Sequence, residues 1–487
     1  MKEFLTRRNI LIALVIIAGG VAYYLSQVPP PNTIILREDG WHPESLVVEP
    51  DTTVIFVNKT SHSFWPASNS HPQHERYPEF DAGRPMAPGE SWSFTFTRPG
   101  KWVFHDHLRS SYVGSIAVGQ EYADYDCLTD IADASVSEKR VCWGEKLYEE
   151  LRENGAAAAF RLFANFYESD PDFTKVGCHV IAHQLGDNAY GEYLRQGKKL
   201  SVLEFPPESV YCGYGYYHGI FEHLIRDNPD FEMANAFCQD LVATYEDTVP
   251  RIRLNCYHAI GHGFVPEPSD VEQWGDVQKM TEPAIAACAR LPVYDERSEC
   301  FQGTFNVIGD WMWNNQFGLR FSESDPLSVC RLYEGEISEA CYYEVAMRLL
   351  PYGDDDLSRI YNLYVAQIEN DQIAGMVINS AAAGVIGTNI TDDNFIPFLH
   401  TCRTLPARVQ EDCLKGLTGG FVAHGEPENE YIKAIDFCSD EELTPDEKDI
   451  CYWNITRTFK DSYSKEKVEQ VCTGVEVEYQ HYCSYES

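Results

Sequence analysis

The chain has 487 residues, with 75 acidic against 38 basic, a formal net charge of −37 and a pI near 4.7. Such a surface repels phosphate backbones and excludes a nucleic-acid partner, whose binders carry basic patches. A hydrophobic share of 44% rules out a mostly disordered chain, and the length implies more than one domain.

Lys2, Arg7 and Arg8 precede an apolar run from Ile10 to Leu25. As a helix this run spans about 24 Å, short but workable with Tyr23 and Tyr24 at the interface. Basic residues ahead of the run predict a signal anchor with its N-terminus inside; a cleavable signal peptide is the alternative. Pro29, Pro30 and Pro31 then form a stiff spacer. Residues 1–31 are therefore expected to be a cytoplasmic tip, a transmembrane helix and a linker. The membrane is one partner, and the bulk of the chain lies extracytoplasmically.

Residues 32–120 read as an all-β sandwich. IILRED, SLVVEP, TTVIFVN, SWSFTFT, KWVFHD and GSIAV are short segments rich in β-branched and aromatic residues. Pro50-Asp51, Pro88-Gly89 and Pro99-Gly100 mark turns between them. This stretch also holds His62, His71, His74, His105 and His107, out of 15 histidines in the chain. Neutral imidazole is the commonest protein metal ligand, and two histidines at i and i+2 share one face of a strand. A metal site is expected on these five, with Asp106 and Asp81 as further candidates and His62, His105 and His107 foremost. All-nitrogen and oxygen donors suit Cu(II), with Zn and Ni as alternatives. Polar loop histidines are the competing reading.

The order TVIFVN, His62, PGESWSFTFTRPGKWVFHDH and GSIAV resembles the cupredoxins, plastocyanin-like and iron-uptake-type periplasmic proteins in particular. The resemblance covers residues 33–118 and implies a copper-holding β-sandwich. Of the family's ligands only the first histidine carries over, onto His62. The late cysteine, histidine and methionine positions fall on Asp106, Arg109 and Tyr112. Cysteine is absent before Cys127, so a blue thiolate site is not expected.

Residues 121–487 carry all 16 cysteines. An even number in an exported chain without C-x-x-C reads as disulfides rather than a zinc ribbon or redox motif. Consecutive pairing gives Cys127–Cys142, Cys178–Cys212, Cys238–Cys256, Cys288–Cys300, Cys330–Cys341, Cys402–Cys413, Cys438–Cys451 and Cys472–Cys483. Around these pairs a unit repeats: a helix-like stretch, a cysteine, a polar loop, then a cysteine opening an apolar, glycine-dotted segment. Residues 374–388 form a unit without cysteines. The period matches paired-helix repeats, predicting an all-α domain of helical hairpins stapled by disulfides, as an α-solenoid or an α/α ring.

Three successive repeats hold a second histidine set. His179 and His183, then His258 and His262, stand at i, i+4 on one helix face; His218 and His223 flank Glu222. The matching later segments carry Asn306, Glu344 and Asn454. His179, His183, His218, His258 and His262 are expected to converge on a second metal site. The leading expectation is a membrane-anchored metal-binding protein, whose helical repeats take a protein partner or a second metal. The alternatives are a metalloenzyme using His183, His218 and His262 with Glu222 as base, and an interaction scaffold whose histidines are structural.

Overall fold

A computed structural model describes residues 31–484, except 39, 70–73, 75, 124, 171, 176, 198–202, 247–248, 250, 267–270, 323, 393 and 427–428. The described residues divide into two compact units, with the boundary between Thr129 and Asp130.

The first unit holds strands Thr33–Arg37 (β1), Gly40–His42 (β2), Ser45–Val48 (β3), Thr52–Asn58 (β4), Pro66–Ser68 (β5), Ser91–Phe96 (β6), Gly100–Asp106 (β7) and Arg109–Val118 (β8). They form two four-stranded sheets, ordered β2-β1-β4-β6 and β3-β8-β7-β5. Alternation along TTVIFVN turns Val54, Phe56 and Asn58 inward. Phe104 anchors β7: its ring is fully buried and lies 5.1, 5.3 and 5.7 Å from those of Trp41, Phe56 and Phe80. Truncating such a ring costs about 3–5 kcal/mol. The buried cluster thus fixes the strand that carries His105.

The second unit is built on nine helices that pack each on the next: Val136–Asn154 (α1), Cys178–Arg195 (α2), Gly215–Asp227 (α3), Ile252–Gly263 (α4), Tyr294–Trp313 (α5), Gly335–Ala346 (α6), Asp371–Thr388 (α7), Ala407–His424 (α8) and Pro445–Ser462 (α9). Outer helices Phe231–Tyr245, Val277–Cys288, Ile396–Thr404 and Glu430–Ser439 pack on α4, α5, α8 and α9 respectively. A disulfide joins each outer helix to its inner partner: Cys238–Cys256, Cys288–Cys300, Cys402–Cys413 and Cys438–Cys451. Cys178–Cys212, Cys330–Cys341 and Cys472–Cys483 are also bonded, and Cys127 and Cys142 are disulfide-bonded too. Closing each short loop contributes about 3 kcal/mol on the chain-entropy model. Burial first, then the carboxylates of Glu430 and Glu426, raises the Tyr167 phenol.

The fold class read from the sequence is corrected at three points. Among the described residues no helix is long and apolar enough to cross a membrane, and the run from Ile10 to Leu25 lies outside them. The β unit is two small mixed sheets, since β1 runs parallel to β4 and β3 parallel to β8. The helical unit is not made of α-hairpins throughout. Short 3-10 turns stand at Ser328–Leu332 and Leu350–Gly353, and a π turn at Tyr361–Val365. Pro351 removes a backbone donor in the second of these, and left-handed Asp354 and Asp355 end it.

Candidate metal centres

In the β unit, His74, His105 and His107 each offer one ring nitrogen within 4.8 Å of the others, and all three are buried. Two features of the chain produce this. The register shifts between His105 and Asp106, and a bulge of this kind re-aims side chains at the end of a strand. His74, which follows β5 in the chain, supplies the third ring.

Each imidazole is oriented by a neighbour. His74 Nδ1 lies 2.8 Å from Asp81 Oδ2, and His74 Nε2 lies 2.9 Å from His107 Nδ1. His105 Nδ1 is 2.9 Å from Asn69 Oδ1. Asp81 also accepts from Trp65 Nε1 at 2.6 Å and Gly83 N at 2.7 Å, while the Trp65 ring covers His107 at 4.4 Å. Burial raises the Asp81 carboxyl, but the bond and charge of His74, with these two donors, outweigh it and hold the group ionised. A carboxylate behind an imidazole is the usual support of a metal-bound histidine.

The remaining candidates of this unit fall elsewhere. Asp106 turns to the other side of the strand, where its Oδ1 accepts from Trp65 N and Leu108 N. His62 is exposed, 3.8 Å from Glu38. His71 lies outside the described residues. Asn69 went unnoticed in the sequence, because an amide supporting a histidine 36 residues away leaves no local pattern.

In the helical unit, His183, His218 and His262 form a second triad with ligand nitrogens within 4.8 Å of one another. They come from α2, α3 and α4, and close helix approach brings them together. A Cβ on Gly219 of α3 would sit 2.0 Å from the carbonyl oxygen of His183 on α2, and one on Gly263 of α4 would sit 3.0 Å from that of Phe221 on α3. Only glycine permits backbones this near. Helices α3 and α4 also begin from left-handed Tyr214 and Arg251, at φ 62° and 54°. Such a conformation costs about 1–2 kcal/mol per residue, and it gathers at functional sites.

Glu222 Oε1 stands between two of these rings, 3.2 Å from His183 Nε2 and 2.9 Å from His262 Nδ1. His179 Nδ1 donates to the Cys212 carbonyl at 2.8 Å. His258 Nδ1 lies 3.6 Å from Glu299 Oε2. Neither ring nitrogen of His218 has a hydrogen-bond partner, nor has His262 Nε2, although all are buried. Burial, then the neighbouring imidazoles, pushes His218 well below the usual histidine range. Burial takes His262 down to about 4 against the pull of Glu222. His183 moves the other way: burial lowers it, but the Glu222 carboxylate more than compensates. The two innermost rings are thus neutral at physiological pH, the form that binds metal.

His223 stays apart, 3.1 Å from Asp187 Oδ1. Beyond the histidines the polar stripe continues onto α5 and α6. Asn306 donates to Glu344 at 2.6 Å, and Arg348 pairs with Asp310. His218, His262 and Asn306 each stand six residues after Cys212, Cys256 and Cys300 (218 − 212, 262 − 256, 306 − 300). That register is the signal by which the extension onto α5 is legible.

No family model matches the chain, and no curated protein matches it. Among solved structures, a novel purple cupredoxin from Nitrosopumilus maritimus is similar at 17% identity, covering 18% of this chain and 98% of that one, with a TM-score of 0.16. The likeness is too slight to carry an argument about function. The chain has two histidine triads able to hold a metal ion, and its disulfides fit an oxidising, extracytoplasmic setting.

Proposed function

We propose that this chain is an extracytoplasmic metal-binding protein with one histidine centre in each unit, and that copper(II) is the ion it takes. One observation carries the reading: each unit converges three imidazoles to within 4.8 Å of one another. Imidazole donors without thiolate suit Cu(II) and Zn, and the Irving–Williams order favours copper where both compete. Every cysteine is disulfide-bonded, so the copper has no thiolate to bind. In the helical centre Glu222 holds His183 and His262 in place, which supports a positioning role rather than that of a free base.

Copper titration of the full chain, with metal analysis after desalting, tests the reading. The expected result is at least one ion per unit, with weak d–d absorption and no intense band near roughly 600 nm. The double variant His105→Ala, His107→Ala is expected to lose the β-unit ion alone, and His183→Ala, His262→Ala the helical one. Wild-type binding in either variant overturns that centre, and an intense visible band overturns the ligand set.

A further inference from the structure

The helical cluster holds more imidazoles than one ion uses. His218 lies at its middle, its ring centroid 5.2 Å from His179, 5.8 Å from His183, 5.1 Å from His258 and 4.6 Å from His262. All four neighbours turn one ring nitrogen toward an acceptor. His179 Nδ1 faces the Cys212 carbonyl at 2.8 Å, His262 Nδ1 and His183 Nε2 face Glu222 at 2.9 and 3.2 Å, and His258 Nδ1 lies 3.6 Å from Glu299. A proton held toward such an acceptor leaves the other ring nitrogen with a bare lone pair, the arrangement a supporting group imposes on a metal-bound histidine. His218 is the exception. It is 4% exposed, yet both of its nitrogens lack a partner. A buried polar atom left unpaired is destabilising, and here two occur on one ring. Carboxylates also adjoin the cluster, Glu222 beside His183 and His262, Glu299 beside His258.

We propose that the helical centre binds two ions, with His218 bridging them through both ring nitrogens. One ion is held by His183 and His262, the other by His179 and His258. Glu222 and Glu299 support the two sides. This rests on the helical metal centre proposed above and deepens it. When the second ion binds, His218 gives its remaining ring N–H proton to solvent, and each nitrogen lone pair forms one metal bond; no electron is transferred. Two divalent charges gathered among buried neutral rings are balanced in part by the bridging imidazolate and by the two carboxylates.

The probe is Cu(II) titrated into the full disulfide-bonded chain, read by metal analysis and electron paramagnetic resonance. The expected count is three coppers per chain, two of them spin-coupled through the bridge. A half-field resonance is then present, and the uncoupled signal accounts for about a third of the copper. His258→Gln, at the edge of the cluster, is expected to drop the count to two, abolish the half-field resonance and make all remaining copper visible. His218→Ala is expected to abolish that resonance as well, with circular dichroism reporting whether it folds. His74→Ala is expected to remove only the β-unit ion and keep the coupled pair. Two coppers per wild-type chain, both fully visible, would overturn the bridge while leaving one ion in each unit. A single copper, lost in His74→Ala, would overturn the helical centre itself.

Discussion

The two histidine centres are assembled by opposite means. In the β unit, single hydrogen bonds aim the rings: Asp81 on His74 and Asn69 on His105. The end of strand β7 supplies His105, the turn after it supplies His107, and the insertion after β5 supplies His74. In the helical unit, three separate helices each bring their histidines, and what aligns them is backbone packing at Gly219 and Gly263. The first centre is local and depends on supporting side chains. The second is distributed, and depends on the packing of the helices that carry it.

Reduction of the disulfides is where the two centres should part most. The β strands between residues 32 and 126 contain no cysteine, whereas seven bonds are seen across the helical unit. At about 3 kcal/mol for each loop closed, the loss far exceeds the marginal stability of an ordinary domain. Reduced protein is expected to lose most of its helical circular dichroism and its helical metal while keeping the β-unit ion. Equal loss from both units would break the contrast.

Asp187→Asn is the next largest effect. Asp187 on α2 is buried and takes Arg226 of α3 at 2.7 Å and His223 at 3.1 Å, so it ties together the two helices on which the site depends. Burial raises its carboxyl, but Arg226 and His223 overcome this and hold it far below the usual carboxylate range. A depressed carboxyl contributes stability above its unfolded pKa of about 3.9, and that contribution fades as pH falls through the folded value. The variant is expected to unfold about 3–5 kcal/mol more easily at neutral pH and to show a shallower acid limb below about pH 4. Denaturant unfolding across pH reads both. An unchanged midpoint would remove the role given to this pair.

Asp81→Asn is expected to act on the other centre alone. It weakens the support of His74 without emptying the site, so copper affinity of the β unit should fall about 10–100-fold. The helical ions and the thermal midpoint are expected to stay as they were. A matching fall in the helical centre would mean that the two are not independent.

How far the sequence reached differs between the units for the same reason. His105 and His107 were legible as ligands from their i, i+2 spacing, although the structure converges them through a register shift at the strand end, with His107 in the turn beyond it. His74 was legible only as a candidate, since its place depends on how the insertion folds. His62 was a candidate both as one of the five clustered histidines and by the resemblance, and it proves to be exposed beside Glu38. In the helical unit the i, i+4 pairs announced His179, His183, His258 and His262, and the repeat register brought in His218. Glu299 and Arg348 stayed hidden, because partners on neighbouring helices follow from packing distance and not from spacing along the chain. Strand β5 was missed because it is three residues long and opens with Pro66. The transmembrane helix was expected from an apolar run, the basic residues before it and the tyrosines at its end; that run lies outside the described residues, and no described helix is long and apolar enough to cross a membrane.

The most direct test of two histidine metal centres is an anomalous difference map, collected at the copper edge from crystals of the full chain grown with Cu(II). The account predicts strong peaks within about 2–2.2 Å of ring nitrogens, one among His74, His105 and His107 and at least one among His183, His218 and His262. Peaks confined to exposed histidines such as His62 and His400, with both buried triads empty, would contradict it.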